Sequence, residues 1–424
     1  MCKGKTVYFC LMIALVLTIL SCGGSGGGGS SSSTTPGPSS TEITVNGTFG
    51  GSNAKSTWYD RALASLTSKA FALNPGLVSK VLVFRAQTHD YRTAAVANGS
   101  FSIKVEKGNP FGIIFAGSAN EYLGYLTLKN GVESLPIGRV KSGVYTIDLG
   151  TLSSLGTVVE PSNNPLDNEV PLTPDEQKIL AQFGGLFSSI VKNPDVDGNG
   201  AIDFLEGKKY FLEIIYNVRG GIFQGGLTPV IDPQLERYQI HSFANFSNCP
   251  ASGVTISGPQ GSAFENPTAM EYENIGSYCS HKVLSALGNP TPLEEGSYKI
   301  TYPDRQLTFP IPDQTSFASN IVLITPTVVL EDSGVIQKIK WSYNLANGNP
   351  LNPESIITQI QVTLADLQFT AQGLYSSPLI NSASTTEIDL STRNILWDDV
   401  GCVNTSYYDV YGNGYTLKWD IQRN

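Results

Sequence analysis

The period of the hydrophobic pattern changes twice along this chain, and that limits its fold more than any single motif does. Apolar residues alternate with polar ones through much of 41–165 and again from about 235 onward, as in "NGSFSIKV" (98–105) and "GYTLKWDIQ" (414–422). A period of two places successive side chains on opposite faces of a strand. Across 172–218 the spacing becomes that of a helix. The expected fold is therefore mainly β, with multi-domain antiparallel β-sandwiches joined by one helical segment.

The first half, 41–165, reads as a small antiparallel β-sandwich. Its strand-like runs are "TEITVNGTF" (41–49), "VSKVLVFRA" (78–86), "SFSIKV" (100–105), "FGIIFAG" (111–117), "YLGYLTL" (122–128) and "VYTIDLGTL" (144–152). Asn98-Gly99 and Asn130-Gly131 punctuate them as tight-turn dipeptides. The succession "ITVNGTF", "KVLVFRA" and "NGSFSIKV" resembles the carboxypeptidase regulatory-like, or transthyretin-like, domain family. That resemblance implies a support or adhesion module without catalytic function. One departure is "STWYDRALASLTSKAFAL" (56–73), a helical or irregular insertion between the first two strands.

The middle segment opens with Thr173, Pro174 and Glu176, a capping box with proline at the first helical position. Ile179, Phe183, Leu186, Phe187 and Ile190 recur at helix spacing, and Phe204, Phe211, Ile214, Ile215 and Val218 are read the same way. Between the two sets lies "DVDGNGAIDFLE" (195–206), which fills the pattern D-x-[DN]-x-[DN]-G-x5-E at every place. It resembles the EF-hand family. The resemblance implies Ca2+ held by Asp195, Asp197, Asn199, the backbone carbonyl of Ala201, Asp203 and Glu206, with Gly200 at the sharp turn and Ile202 facing inward. Such a cation wants six to eight oxygens, and magnesium, with its stricter octahedral demand, is the weaker alternative. "DVYGNGYTLKWD" (409–420) offers a second partial match, but Tyr411 and Leu417 stand where ligands are needed, so it reads as an Asn-Gly hairpin. A single loop in an extracellular setting suits a structural ion, expected to fix the angle between two helices and through them the two β halves.

In the second half, "EGSYKITYPDRQLTFPI" (295–311), "IQKIKWSYNL" (336–345), "ITQIQVTLADLQF" (357–369) and "GYTLKWDIQ" (414–422) are the clearest strands. They are divided here into a sandwich at 235–314 and one at 315–424 of immunoglobulin or fibronectin type III character, with one larger sandwich as the alternative. Tyr415, Leu417, Trp419 and Ile421 should face a core while Thr416, Lys418, Asp420 and Gln422 face water. Cys249 and Cys279 flank one short β-rich stretch and are expected to pair, leaving Cys402 as a free thiol or the partner of another cysteine.

The N-terminus sets the compartment. Lys3 and Lys5, the apolar run from Val7 to Leu20, and Ser21-Cys22 describe a secretory signal. Ile19-Leu20-Ser21-Cys22 resembles the bacterial lipobox, which implies a signal peptide at 1–21 and lipidation of Cys22. "GGSGGGGSSSSTTPGPSS" (23–40) then follows as a flexible tether at 22–40, so the G-x-S-x-G match at 23–27 is linker and not a nucleophile elbow. Only 15% of residues are charged, and the net charge of −9 argues against a nucleic-acid partner.

Chemistry is sparse. The histidines are His89, His241 and His281, with no metalloprotease or phosphate-loop motif, and His281 is read as an ordinary surface residue near Cys279. Trp397, Tyr407, Tyr408 and Tyr411 crowd the last thirty residues, either as core aromatics or as a face for stacking on sugars. The reading that results is an exported, membrane-anchored, calcium-binding bacterial lipoprotein of the outer membrane or cell surface. It is read as a non-catalytic binding or adhesion protein with a protein or polysaccharide ligand. A structural or assembly component of the envelope is the alternative, followed by a hydrolase on a β-scaffold.

Overall fold

The computed structural model describes residues 42–423 apart from 51–74, 87–89, 128–139, most of 177–189, 312–320, 347–350, 368–372 and short gaps elsewhere. The signal and tether with Cys22, the insertion at 56–73, the Asn130-Gly131 turn and His89 lie outside the described residues. The chain divides into two compact bodies, one running to Phe211 and including Asp304–Pro310, the other comprising Leu212–Pro303 and Ile311–Asn424.

The first body holds β1 (Glu42–Phe49), β2 (Lys80–Arg85), β3 (Tyr91–Ala95), β4 (Ser100–Glu106), β5 (Phe111–Ala116), β6 (Tyr122–Leu126), β7 (Thr146–Leu155) and β8 (Val158–Pro161). They form one sheet in the order β3-β2-β5-β6-β8-β7-β1-β4. Its two end strands, β3 and β4, are joined by Asn98-Gly99, whose φ angles of 52° and 76° give the left-handed pair a two-residue hairpin turn needs. The sheet must therefore curl until its edges meet. Arg92 on β3 reinforces the closure through Glu42 of β1 at 2.8 Å and Glu106 of β4 at 2.9 Å. Inside lie Val45, Val81, Val83, Phe101, Ile103, Ile113, Phe115 and Ile147, all buried. Most pairings are antiparallel as the alternation requires, but β1–β7 and β6–β8 run parallel.

The second body starts with two long strands, β9 (Tyr210–Gln224) and β10 (Val230–Ala244). There follow β11 (Thr255–Ser257), β12 (Thr268–Ala269), β13 (Glu271–Ile275), β14 (Tyr278–Leu284) and β15 (Gly296–Thr301), then β16 (Gln306–Ile311), whose residues to Pro310 count with the first body, and then β17 (Val322–Leu330), β18 (Ile336–Leu345) and β19 (Ile357–Asp366). β20 (Tyr375–Ser376), β21 (Glu387–Asp389), β22 (Val400–Asp409) and β23 (Gly414–Gln422) complete it. The main sheet runs β13-β14-β10-β9-β23-β22-β19-β20, and β17-β18-β21 form a second layer. Thr405 ties the layers, donating from Oγ1 to the Ile324 carbonyl at 2.8 Å and accepting from Trp419 Nε1 at 3.0 Å.

Several expectations need correction. The division expected near residue 315 does not separate two sheets, because the main sheet joins β9, β10, β13 and β14 to β19, β20, β22 and β23 from beyond it, edge to edge through β9 and β23. β23 is not wet on one face: Thr416 and Lys418 are buried as well as Tyr415, Leu417 and Trp419, since β23 is central, between β9 and β22. His281 is fully buried and donates from Nε2 to the Pro250 carbonyl at 2.8 Å. Cys249 and Cys279 are bridged as expected, and Cys402 is buried and outside any disulfide.

The largest correction concerns the second helix. The acidic loop ends in one 3-10 turn, Asp203–Glu206, which stops at Gly207, whose φ of 76° closes the turn with a left-handed cap. β9 begins three residues later. Phe211, Ile214, Ile215 and Val218 thus lie on a strand. Tyr210–Val218 is nearly continuously apolar and buried on both faces, a run in which helix and strand periods cannot be told apart, and its β-branched and aromatic residues favour the strand.

Candidate metal centre

The unit that forms is helix–loop–strand. On its N-terminal side Thr173 and Glu176 exchange their capping bonds, Thr173 N–H to Glu176 Oε2 at 2.7 Å and Glu176 N–H to Thr173 Oγ1 at 3.2 Å. The described residues of 174–192 are helical. Phe187, Ile190 and Val191, at one-turn spacing, make its buried face. Phe187 stacks on Phe84 of β2 with centroids 5.7 Å apart, and Val191 sits over Gly112 of β5, where a Cβ would come within 2.6 Å of a Val191 methyl. On the far side, Phe204 packs on Phe84 at 4.6 Å and Tyr91 at 5.9 Å. The loop is therefore clamped to the first body by aromatic contacts at both ends.

A third clamp comes from its middle. Ile202 N–H donates to the Asn120 carbonyl at 2.9 Å, and Ala201 bridges Glu121 in antiparallel fashion. The turn between β5 and β6 pairs with the loop. Nothing in the spacing of the motif pointed to this partner.

Within the loop, backbone amides organise the carboxylates. Asp195 accepts from Asn199 N–H at 3.0 Å and Gly200 N–H at 2.8 Å, the latter from a residue at φ 93°, where a side chain would be strained. Asn199 Oδ1 accepts from Ala201 N–H at 2.8 Å, and Asp203 Oδ2 accepts from Val196 N–H at 2.6 Å. As a result Asp195, Asp197 and Asp203 each bring one oxygen within 4.8 Å of the others. Glu206 joins them through Lys208, whose Nζ lies 2.7 Å from Glu206 Oε2, 2.6 Å from Asp197 Oδ2 and 3.9 Å from Asp203 Oδ1. Asn199 Nδ2 also donates to Glu206 Oε2, at 2.8 Å.

The residues fit a hard divalent cation. Oxygens that share one calcium at 2.3–2.6 Å stand at most about 5 Å apart, which this cluster meets. More telling is Asp203. It is 1% exposed, yet its Oδ1 accepts no hydrogen bond. Burial pushes its carboxyl up to about 7, and the charges of Asp197 and Asp195 push the same way against the Val196 N–H. An unsatisfied buried acceptor of this kind costs about 1–3 kcal/mol, more when charged. A cation at the loop centre would remove that cost. Asp197 behaves differently: burial raises its pKa, but the bond and charge from Lys208 outweigh this and leave it lowered.

Other sites of interest resolve into structure. Cys249, Cys279 and His281 cluster, but the sulfurs are bonded to one another. Tyr407, Tyr408 and Tyr411 are buried, and Trp397 is half-buried against Phe223 at 5.3 Å. Asp409 is spent on its own hairpin, taking Tyr411 N–H at 2.8 Å and Asn413 N–H at 2.9 Å on Oδ1, with Asn413 Nδ2 and Tyr415 O–H each at 3.0 Å on Oδ2. No described helix is long and apolar enough to cross a membrane. No protein-family model matches the chain, and no curated protein is similar to it.

Proposed function

We propose that this chain is a calcium-stabilised, non-catalytic protein of the bacterial cell envelope, exported and anchored by lipid at Cys22. The buried Oδ1 of Asp203, which accepts no hydrogen bond and faces two further aspartates, carries the reading. In it Asp195, Asp197, Asn199, Asp203 and Glu206 ligate with their side chains and Ala201 with its carbonyl. The ion secures the loop against the first body rather than setting an angle between two helices. Export is supported by the Cys249–Cys279 bridge, which suits an oxidising compartment. Lipidation rests on Ile19-Leu20-Ser21-Cys22.

Among the non-catalytic roles, a structural or assembly component is favoured over ligand binding. Tyr407, Tyr408 and Tyr411, which would have to stack on a sugar or anchor a protein partner, are spent in the core. Scanning calorimetry tests the calcium half of the reading. Saturating calcium should raise the unfolding temperature over EDTA, by the equivalent of about 2.7 kcal/mol at one hundred times Kd; equal traces would defeat it. The anchor half is tested by radiolabelled palmitate, which should label the wild type and not Cys22→Ser.

A further inference from the structure

We propose that Lys208 is a built-in counter-ion for the loop: it holds the ligand carboxylates together when calcium is absent and is expelled when the ion binds. The chain then carries its own competitor for the site. This deepens the calcium reading above and rests on it.

The argument starts from shared atoms. Lys208 Nζ contacts Asp197 Oδ2 and Glu206 Oε2 at 2.6 and 2.7 Å, and both carboxylates are needed by the ion. A calcium 2.3–2.6 Å from those oxygens would sit against the ammonium, so the two cations exclude each other. Asp195, Asp197, Asp203 and Glu206 crowd one loop, and Lys208 forms ion pairs with three of them. Lys208 thus gives the metal-free loop a reason to keep its shape.

The lysine does this job incompletely. Asp203 Oδ1 remains 3.9 Å away and accepts no hydrogen bond, so the deepest ligand is left for something smaller and more highly charged. Departure is also simple. The backbone N–H of Lys208 is fixed to the Asp203 carbonyl at 2.9 Å, while its side chain is about one-third exposed. Side-chain rotation into water is enough, and no backbone rearrangement is required. Asn199 must turn as well, because its Nδ2 donates to Glu206 where a ligand oxygen belongs.

Two consequences follow for solution behaviour. Calcium affinity is lower than the ligand set alone would give, since part of the binding energy displaces the lysine. The metal-free loop remains ordered, so calcium acts on a preformed site.

Lysine acetylation of the full chain, read by mass spectrometry with and without millimolar calcium, tests this directly. Lys208 should react at least about fivefold faster with calcium, as its ion-paired fraction falls. Lys282, paired with Glu273 at 3.2 Å, serves as the internal control and should not change. In parallel, Lys208→Met should bind calcium about tenfold more tightly in calorimetric titration, because the competing state is gone, and should melt lower than wild type in EDTA. Unchanged Lys208 reactivity in wild type that demonstrably takes up calcium would overturn the lysine inference alone, as would equal affinities. If neither protein takes up calcium, the calcium reading itself has failed and this inference falls with it. Should Lys208→Met not fold in EDTA, the wild-type acetylation result decides.

Discussion

Two buried aspartates show how the same residue type serves opposite ends. Asp409 has four donors for its two oxygens and needs nothing more; Asp203 has one donor and an oxygen left over. Asp409→Ala should therefore strand several buried donors and cost about 3 kcal/mol in urea unfolding while leaving calcium uptake intact. Asp203→Asn should do the reverse, abolishing calcium stabilisation with a smaller effect in EDTA. Glu213, on β9, supplies a pH signature. Burial raises its carboxyl to about 8, against the hydrogen bond from Tyr408 and with help from the charges of Asp409 and Glu273. The folded state then holds a proton that the unfolded state gives up near its ordinary value, so stability is full below about pH 4.5 and falls as pH rises toward 8. Glu213 should contribute up to about 1.4 kcal/mol per pH unit to that slope, and Glu213→Gln should remove this share while Asp203 and Asp409, also raised by burial, keep theirs. At this scale the gathering of Asp195, Asp197 and Asp203 was legible from their spacing in the loop. Lys208 was not: it stands beside Lys209, and only the turn at Gly207 decides which of the two reaches the loop.

Among elements, the loop lies between a helix and a strand, held by the first body on three sides. Its helix was legible from Thr173, Pro174 and Glu176, of which Thr173 and Glu176 exchange the capping bonds that their residue types permit. The strand was not, because Phe211, Ile214, Ile215 and Val218 satisfy a helical spacing by accident in a run buried on both faces. The same cause hid the burial of Thr416 and Lys418, which alternate like a wet face but lie at the centre of eight strands. The contact of Val191 with Gly112 gives this packing a test. Gly112→Ala brings a methyl within 2.6 Å of Val191 and should cost about 1–3 kcal/mol in denaturant unfolding, and Val191→Ala in the same chain should recover part of it. Strict additivity of the two changes would mean that the helix is not seated on β5.

For the whole molecule, the bodies divide after Phe211, with Asp304–Pro310 returning to the first, and strands from both sides of 315 share one sheet. Local alternation announced strands correctly but carries no information about which distant strands pair. Among the described residues the loop gathers Asp195, Asp197 and Asp203, and calcium is the counter-ion proposed for them. Removing both the ion and the lysine should expose the loop first, so limited proteolysis of Lys208→Met in EDTA is expected to cut within 193–209 before the sheets are attacked and before wild type is cut there. Calorimetric titration of calcium into the metal-stripped full chain tests the central claim most directly. The account predicts a single saturable site in wild type and none in Asp203→Asn; a wild-type protein that takes up no calcium at millimolar concentration, or a variant that binds like wild type, would contradict it.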